Sequence, residues 1–68
     1  MTIAEVKNNL GKPVRFSNKK LFIESAMYIL TGCILRKGDK EFYYQAELTD
    51  VRNNKSVLIC RLDEIEKV

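Results

Sequence analysis

The chain has 68 residues, of which 46% are hydrophobic and 31% charged, and its formal net charge is +3. That length supplies one hydrophobic core, so we predict a single domain over residues 1–68. No run approaches the roughly 20 apolar residues that cross a bilayer, and the polar, acidic start differs from a signal peptide. Both features favour a cytoplasmic protein without membrane contact.

The amino-acid composition lacks the residues and motifs that most enzyme active sites use. There is no histidine, which removes the commonest general base and the commonest transition-metal ligand. The three glycines stand alone in the sequence, so they form no phosphate-binding loop. The acidic residues at 63–66 are typical of a solvated edge. We therefore predict a non-enzymatic protein with no catalytic residue, cofactor or metal site.

The two cysteines are predicted to serve the core. Cys33 and Cys60 each lie inside an apolar run, and in a reducing cytoplasm such thiols behave as small buried hydrophobic residues. A disulfide between them would require neighbouring strands and an oxidising compartment.

The N-terminal segment has the signals of a helix over residues 2–10. Thr2 and Glu5 match a capping box. Gly11 follows the segment at a position that favours positive φ, and Pro13 prevents continuation. One apolar stripe results, made of Ile3, Val6 and Leu10. Because so short a helix is unstable alone, we expect that stripe to pack on a sheet.

The remainder, residues 13–68, has the pattern of a small β-barrel. Pro13 opens a short alternating strand, whereas residues 18–25 fit a loop, an irregular strand or a helical turn equally well. The run 26–36 is apolar on both faces, which predicts a strand covered on both sides. Gly32 within it predicts a bend or a close backbone approach, so Gly32→Val should destabilise the fold clearly.

Further strands follow at short intervals. A tight turn at 37–40, with Gly38 free to adopt positive φ, leads into the alternating strand 41–49. A polar loop then leads to strand 56–62, a 3₁₀ turn at 62–65 and a last short strand that pairs with the first. The predicted barrel core consists of Leu30, Gly32, Ile34, Phe42, Tyr44, Ala46, Leu48, Val57 and Ile59. The helix should pack on the opposite face, near Ile29, Cys33 and Cys60.

This succession resembles the SH3-like barrel superfold. The resemblance is carried by Leu30-x-Gly32-x-Ile34, Phe42-x-Tyr44-x-Ala46-x-Leu48, Val57-x-Ile59 and Leu62-x-x-Ile65. Small, mostly uncharacterised proteins of prophages and mobile elements in Gram-positive bacteria are similar. The resemblance implies a mainly β (small α+β) fold, an SH3-like five-stranded barrel with the N-terminal α-helix packed on the sheet. It implies no polyproline recognition, because tryptophan and an acidic aromatic loop are absent.

For function, we predict a small binding module that contacts an unknown protein partner, as a monomer or weak homodimer. The candidate surface combines basic and aromatic residues: Arg15, Lys19, Lys20, Phe22, Arg36, Lys37 and Tyr43. The alternative is weak, non-sequence-specific nucleic-acid binding, because basic residues beside exposed aromatics suit phosphate contact and base stacking. Residues 1–40 hold eight Lys/Arg against three Asp/Glu, and residues 41–68 four against six. Folding the halves together would cancel much of that asymmetry.

Overall fold

The fold is one antiparallel sheet with a short helix at its start. A computed structural model of the chain describes residues 1–18, 20, 23–53 and 55–68, with 23–25 described by their backbone alone. The elements are α1 (Ile3–Asn9), β1 (Pro13–Asn18), β2 (Ile23–Lys37), β3 (Phe42–Asp50), β4 (Val57–Arg61), a 3₁₀ turn (Leu62–Glu64) and β5 (Ile65–Lys67). The predicted succession of helix, strands and 3₁₀ turn is confirmed. Of the undecided segment 18–25, the residues from Ile23 onward belong to β2.

The helix α1 begins at the predicted capping box. Thr2 Oγ1 accepts a hydrogen bond from the Glu5 N–H at 3.2 Å, and the Thr2 N–H donates to Glu5 Oε1 at 3.0 Å. Hydrogen bonding of the Glu5 carboxyl, by the Thr2 backbone N–H foremost and by the Thr2 side chain next, lowers its pKa. Val6 is buried against the sheet and Ile3 packs on the core from its edge.

The helix ends one residue earlier than predicted. Leu10 has an extended ψ of 131°, Gly11 has a φ of +82°, and the Lys12 N–H donates to the Asn9 carbonyl at 3.0 Å. These angles and this bond describe a type II turn. The positive φ predicted for Gly11 is confirmed, but the turn carries Leu10 out to solvent. Its predicted place in the buried stripe is therefore wrong.

β2 is the long central strand, and it pairs with two neighbouring strands. Its first half pairs with β1 and its second half with β3. The β3 register shifts between Leu30 and Gly32, which leaves Thr31 as a bulge. One extra residue exchanges the two faces of a strand. Tyr28 and Leu30 therefore face the core before the bulge and Cys33 after it, so the predicted shared face of Leu30, Gly32 and Ile34 is wrong.

The five strands are ordered β4-β3-β2-β1-β5, and every pairing is antiparallel. The predicted pairing of the last strand with the first is confirmed, with Phe16 opposite Ile65. Within the described ranges, β4 pairs only with β3 and β5 only with β1. The sheet is thus not closed, and closure into a barrel stays a prediction.

Among the described residues, one core lies between α1 and one face of the sheet. We call this face of the sheet the core face and the other the outer face. The buried residues of the core are Val6, Val14, Phe16, Leu30, Ala46, Leu48, Cys60 and Ile65. The ring of Phe16 meets the edge of Tyr28 at 5.9 Å between centroids. Because Val6 shares this cluster with Ala46 and Leu48, the prediction that the helix covers the face opposite the strand core is wrong.

Part of the predicted strand core is also wrong. Leu30, Ala46 and Leu48 are buried as predicted, but four others are exposed: Phe42, Tyr44, Val57 and Ile59. In β4 the residues on the core face are Leu58, opposite Leu48, and Cys60, opposite Ala46. Val57-Leu58-Ile59-Cys60 is apolar at every position, so alternation could not indicate which pair turns inward.

Candidate interaction surface on the β2–β3 hairpin

Three of the predicted binding residues lie on the hairpin of β2 and β3, and the others do not. Arg36 is opposite Tyr43 on the outer face, and Lys37 is opposite Phe42 on the core face. Arg15 is on β1 and exposed, and Lys20 is an exposed residue beyond the end of β1. Lys19 and Phe22 lie outside the described residues.

The basic residues do not form one patch across these elements. Arg15 is opposite Met27, and Arg36 lies nine residues further along β2, which is roughly 30 Å of strand at about 3.3 Å per residue. Arg15 is also opposite Glu66 in β5. Acidic residues of the second half of the chain therefore lie among basic residues of the first half, which is the partial cancellation of charge that we predicted from the sequence.

The structure brings together a different set of residues on the hairpin. Leu35, Phe42 and Tyr44 are 57%, 66% and 43% exposed, and Leu35 is directly opposite Tyr44. All three continue the core face beyond Cys33 and Ala46. We call Leu35, Phe42 and Tyr44 the hairpin patch. It is an exposed apolar surface made of neighbouring side chains, and such surfaces mark contact sites.

The hairpin patch is exposed because the cover of the core face stops short of it. The pairing of β3 with β4 begins only at Gln45 opposite Arg61. On the other side of β2, the pairing with β1 ends where Pro13 lies opposite Ile29. Two further backbone hydrogen bonds connect Leu30 with the turn at residues 11–12. The end of the hairpin is therefore a two-stranded ribbon. Period-two alternation predicted the face of Phe42 and Tyr44 correctly, but it placed Leu35 on the opposite face, because the bulge at Thr31 exchanges the faces of β2. It also could not show where the cover ends.

The charges around the hairpin patch are exposed and of both signs, because the turn that joins the two strands carries Asp39 and Glu41 beside Lys40. Lys37 is on the same face of the sheet as Phe42, and Lys40 lies in the turn that joins the two strands. Neither forms an ion pair with any described residue. On the outer face, Arg36 donates a hydrogen bond from Nε to Gln45 Oε1. A bound group that carries carboxylates or phosphates would meet free lysine cations here.

The outer face carries a second apolar area, on β4. Val57 and Ile59 are 53% and 40% exposed, and each lies opposite a polar residue of β3, Thr49 and Glu47 respectively. Thr31 Oγ1 joins this row through bonds to Glu47 Oε2 at 2.9 Å and Thr49 Oγ1 at 3.0 Å. The polar centre of the outer face is thus satisfied internally, while the β4 side stays apolar.

The thiols have the properties of core residues. Cys60 is buried, and its burial, with smaller effects of Glu64 and Asp63, raises its pKa to about 11. Burial also raises the pKa of Cys33. A raised pKa reduces the thiolate fraction that nucleophilic chemistry requires.

Two other classes of site are absent from the part of the chain that the structure describes. It holds no group of three or more Cys, Asp or Glu side chains placed to bind a metal ion. None of its helices has the length and apolar character needed to cross a membrane.

Comparison of the chain with protein-family models, curated proteins and solved structures gave no match.

Proposed function

We propose that the chain is a non-enzymatic protein-interaction module that docks through the hairpin patch. The observation that carries this proposal is the joint exposure of Leu35, Phe42 and Tyr44 on one side of a two-stranded ribbon. Exposed aromatic anchors contribute most to protein interfaces when a partner excludes water from them. Lys37 borders the patch opposite Phe42, and the nearest acidic residues in sequence, Asp39 and Glu41, lie in the turn with Lys40.

The partner surface that fits is an apolar recess bordered by carboxylates. Phe42 and Leu35 would enter the recess, and the Lys37 and Lys40 ammonium groups would meet the carboxylates. A cytoplasmic location suits this role, and two free thiols are usual there. The strand order, and the 3₁₀ turn before β5, support the SH3-like architecture that the sequence resembles. An origin in a prophage or mobile element belongs to the same proposal.

Quantitative affinity capture from extract of the native host tests the docking site. Wild-type protein, Phe42→Ser and Val51→Ser serve as bait. Val51 is also an exposed apolar residue, outside the strands, so its variant controls for general loss of hydrophobic surface. We expect a partner that the wild-type and Val51→Ser proteins retain and Phe42→Ser loses. Equal retention by all three would contradict the proposal.

Nucleic-acid binding is the second candidate, favoured by one observation. Phe42, Tyr43 and Tyr44 are three consecutive exposed aromatic residues, and Arg36 and Lys37 lie opposite the first two. Rings beside cations suit stacking of single-stranded bases. The scattered position of the other basic residues makes this the weaker candidate.

Fluorescence anisotropy with a single-stranded oligonucleotide at low salt separates the two candidates. Nucleic-acid binding would be established by an affinity that weakens steeply with salt. The binding should also be lost in Tyr43→Ala and on charge reversal of Lys19, Lys20 and Lys37. Absence of any binding at low salt would leave protein docking.

A further inference from the structure

β4 is an edge strand without the features that normally protect an edge. It pairs with β3 in unbroken register from Val57 to Arg61, with no bulge, and its first four residues are uncharged and apolar. Natural sheets usually protect edges with lysine, proline, bulges or very short strands. The opposite edge follows that rule, because β5 has three residues, of which Glu66 and Lys67 are charged and exposed.

We propose that β4 pairs with β4 of a second copy of this chain, antiparallel and about a two-fold axis at Ile59. The sheets of the two copies then join into one, with both core faces on the same side. This inference concerns a surface separate from the hairpin patch and does not depend on the proposed function.

The sequence of β4 is complementary to itself in that register. Ile59 lies opposite Ile59 of the second copy, Val57 opposite Arg61, and Leu58 opposite Cys60. No charge faces a like charge, which would destabilise the pair. The exposed Val57 and Ile59 lose solvent contact against apolar side chains and the stem of Arg61.

Charges at the ends of β4 also match. Lys55 lies just before β4 and Asp63 just after it, in the 3₁₀ turn, so the antiparallel pairing brings the end that carries Lys55 toward the end that carries Asp63 of the second copy, on both sides of the axis. Lys55 is exposed and forms no ion pair with any described residue. The Asp63 side chain is 71% exposed although Arg61 binds it at 3.1 Å. Attraction at both ends would favour the two-fold register over slipped ones.

The contact is small, so the dimer should be weak. One five-residue strand per copy falls below the roughly 1,200 Å² of a stable interface. We expect monomer at low micromolar and dimer at high micromolar to millimolar concentration. Sedimentation velocity across that range measures the equilibrium.

Ile59→Lys is the decisive variant, because the two-fold axis would bring two like charges together. We expect it to weaken dimerisation at least tenfold, whereas Leu10→Lys, with the same charge change at an exposed site in the turn after α1, should not. Circular dichroism checks that both variants fold, and Val57→Lys gives a second variant on the same strand. A monomer at millimolar concentration, or a dimer that Ile59→Lys leaves unchanged, would overturn the proposal.

Cysteine cross-linking tests the register. In a Cys33→Ser background, Ile59→Cys places two thiols on the axis, where opposed Cα atoms are about 4.5–5.5 Å apart. Val57→Cys is the matched control, since its two copies would be about 13 Å apart along the strands, too far for a disulfide. We expect mild oxidation to cross-link Ile59→Cys alone. Equal cross-linking of both variants, or none where sedimentation shows a dimer, would overturn this register.

Discussion

Cys33 and Cys60 occupy the same row of the core face but cannot meet. Ala46 of β3 lies between them, opposite Cys33 on one side and Cys60 on the other. Two strand spacings separate their Cα atoms by about 10 Å, beyond the roughly 7 Å limit of a disulfide. The pairing that the sequence left open is therefore excluded within one chain, and each thiol has its own titration.

The raised pKa of Cys60 predicts a pH dependence of both reactivity and stability. At pH 8, a thiol reagent should modify the half-buried Cys33 before the buried Cys60. The pKa of the Cys60 thiol is 9.0 in the unfolded chain and about 11 in the folded protein. The folded state therefore keeps this proton at pH values where the unfolded chain has lost it, and the contribution of Cys60 to the free energy of unfolding is fully present below pH 9. That contribution is lost as the pH rises toward 11.

Thiol titration and urea denaturation at pH 8 and pH 10.5 measure the two effects. Cys60→Ala should retain the fast modification of Cys33 and lose the part of the pH dependence due to Cys60. Equal modification rates of the two thiols in the folded protein would contradict the assigned burial.

At the scale of elements, the bulge in β2 and the turn after it use glycine for different reasons. A Cβ on Gly32 would lie 3.0 Å from Glu47 Oε2, the tip of a flexible side chain. A Cβ on Gly38 would lie 2.8 Å from the Glu41 carbonyl oxygen, which accepts the Gly38 N–H at 2.8 Å. Positive φ is found at Gly11 and not at Gly38, so the turn requires glycine for close approach, and the conformational reason predicted for Gly38 is wrong.

These contacts predict that Gly38→Ala destabilises the protein more than Gly32→Ala. The turn backbone must move in the first case, at a cost of about 1–3 kcal/mol. In the second, the Glu47 carboxylate can rotate away and lose its bond to Thr31, at about 0.5–1.5 kcal/mol. Urea denaturation gives both free energies of unfolding, with Glu47→Gln as a control for loss of the carboxylate charge. The reverse order of the two alanine variants would contradict this account.

The elements show which local signals suffice for prediction. The helix start, the alternation of Val14 and Phe16, and the pairing of β5 with β1 follow from capping, period two and order along the chain. The exchange of faces at Thr31 does not, because Gly32 indicates an irregularity in β2 but only the register against β3 shows that it is a bulge with Thr31 as the extra residue. The same limit applied to β4, where both alternations are apolar and only the partner strand selects Leu58 and Cys60.

At the scale of the molecule, the interaction surface depends on where strands stop covering one another. Lys37 and Tyr43 could be proposed from residue type alone, and both are on the hairpin. The regular alternation of Phe42 and Tyr44 predicts a core position for both, whereas the structure exposes them. Their exposure results from the short length of the elements that cover the core face. The helix α1 has only seven residues, and the pairing of β3 with β4 begins only at Gln45. Sequence periodicity shows a face but not the extent of its cover.

The same lengths divide the sheet into a supported part and an unsupported ribbon. Ala46 and Leu48 of β3 lie between β2 and β4 and are fully buried. Tyr43 and Tyr44 pair with β2 alone. Two-stranded ribbons are marginally stable in water, and regions with few buried contacts open with low free energy. The ribbon should therefore open locally while the rest of the fold stays intact.

Amide hydrogen exchange should resolve these parts and both proposed surfaces in one measurement. We expect the hydrogen-bonded amides of the ribbon to exchange at least about tenfold faster than those of residues 46–48. As protein concentration rises into the dimer range, the outward amides of β4 should slow, because the second copy accepts their hydrogen bonds, while the ribbon amides stay fast. Ile59→Lys should abolish the change in β4 and leave the ribbon unaffected. Slowing of the ribbon with concentration would instead assign self-association to the hairpin patch, against the separation of the two surfaces proposed above.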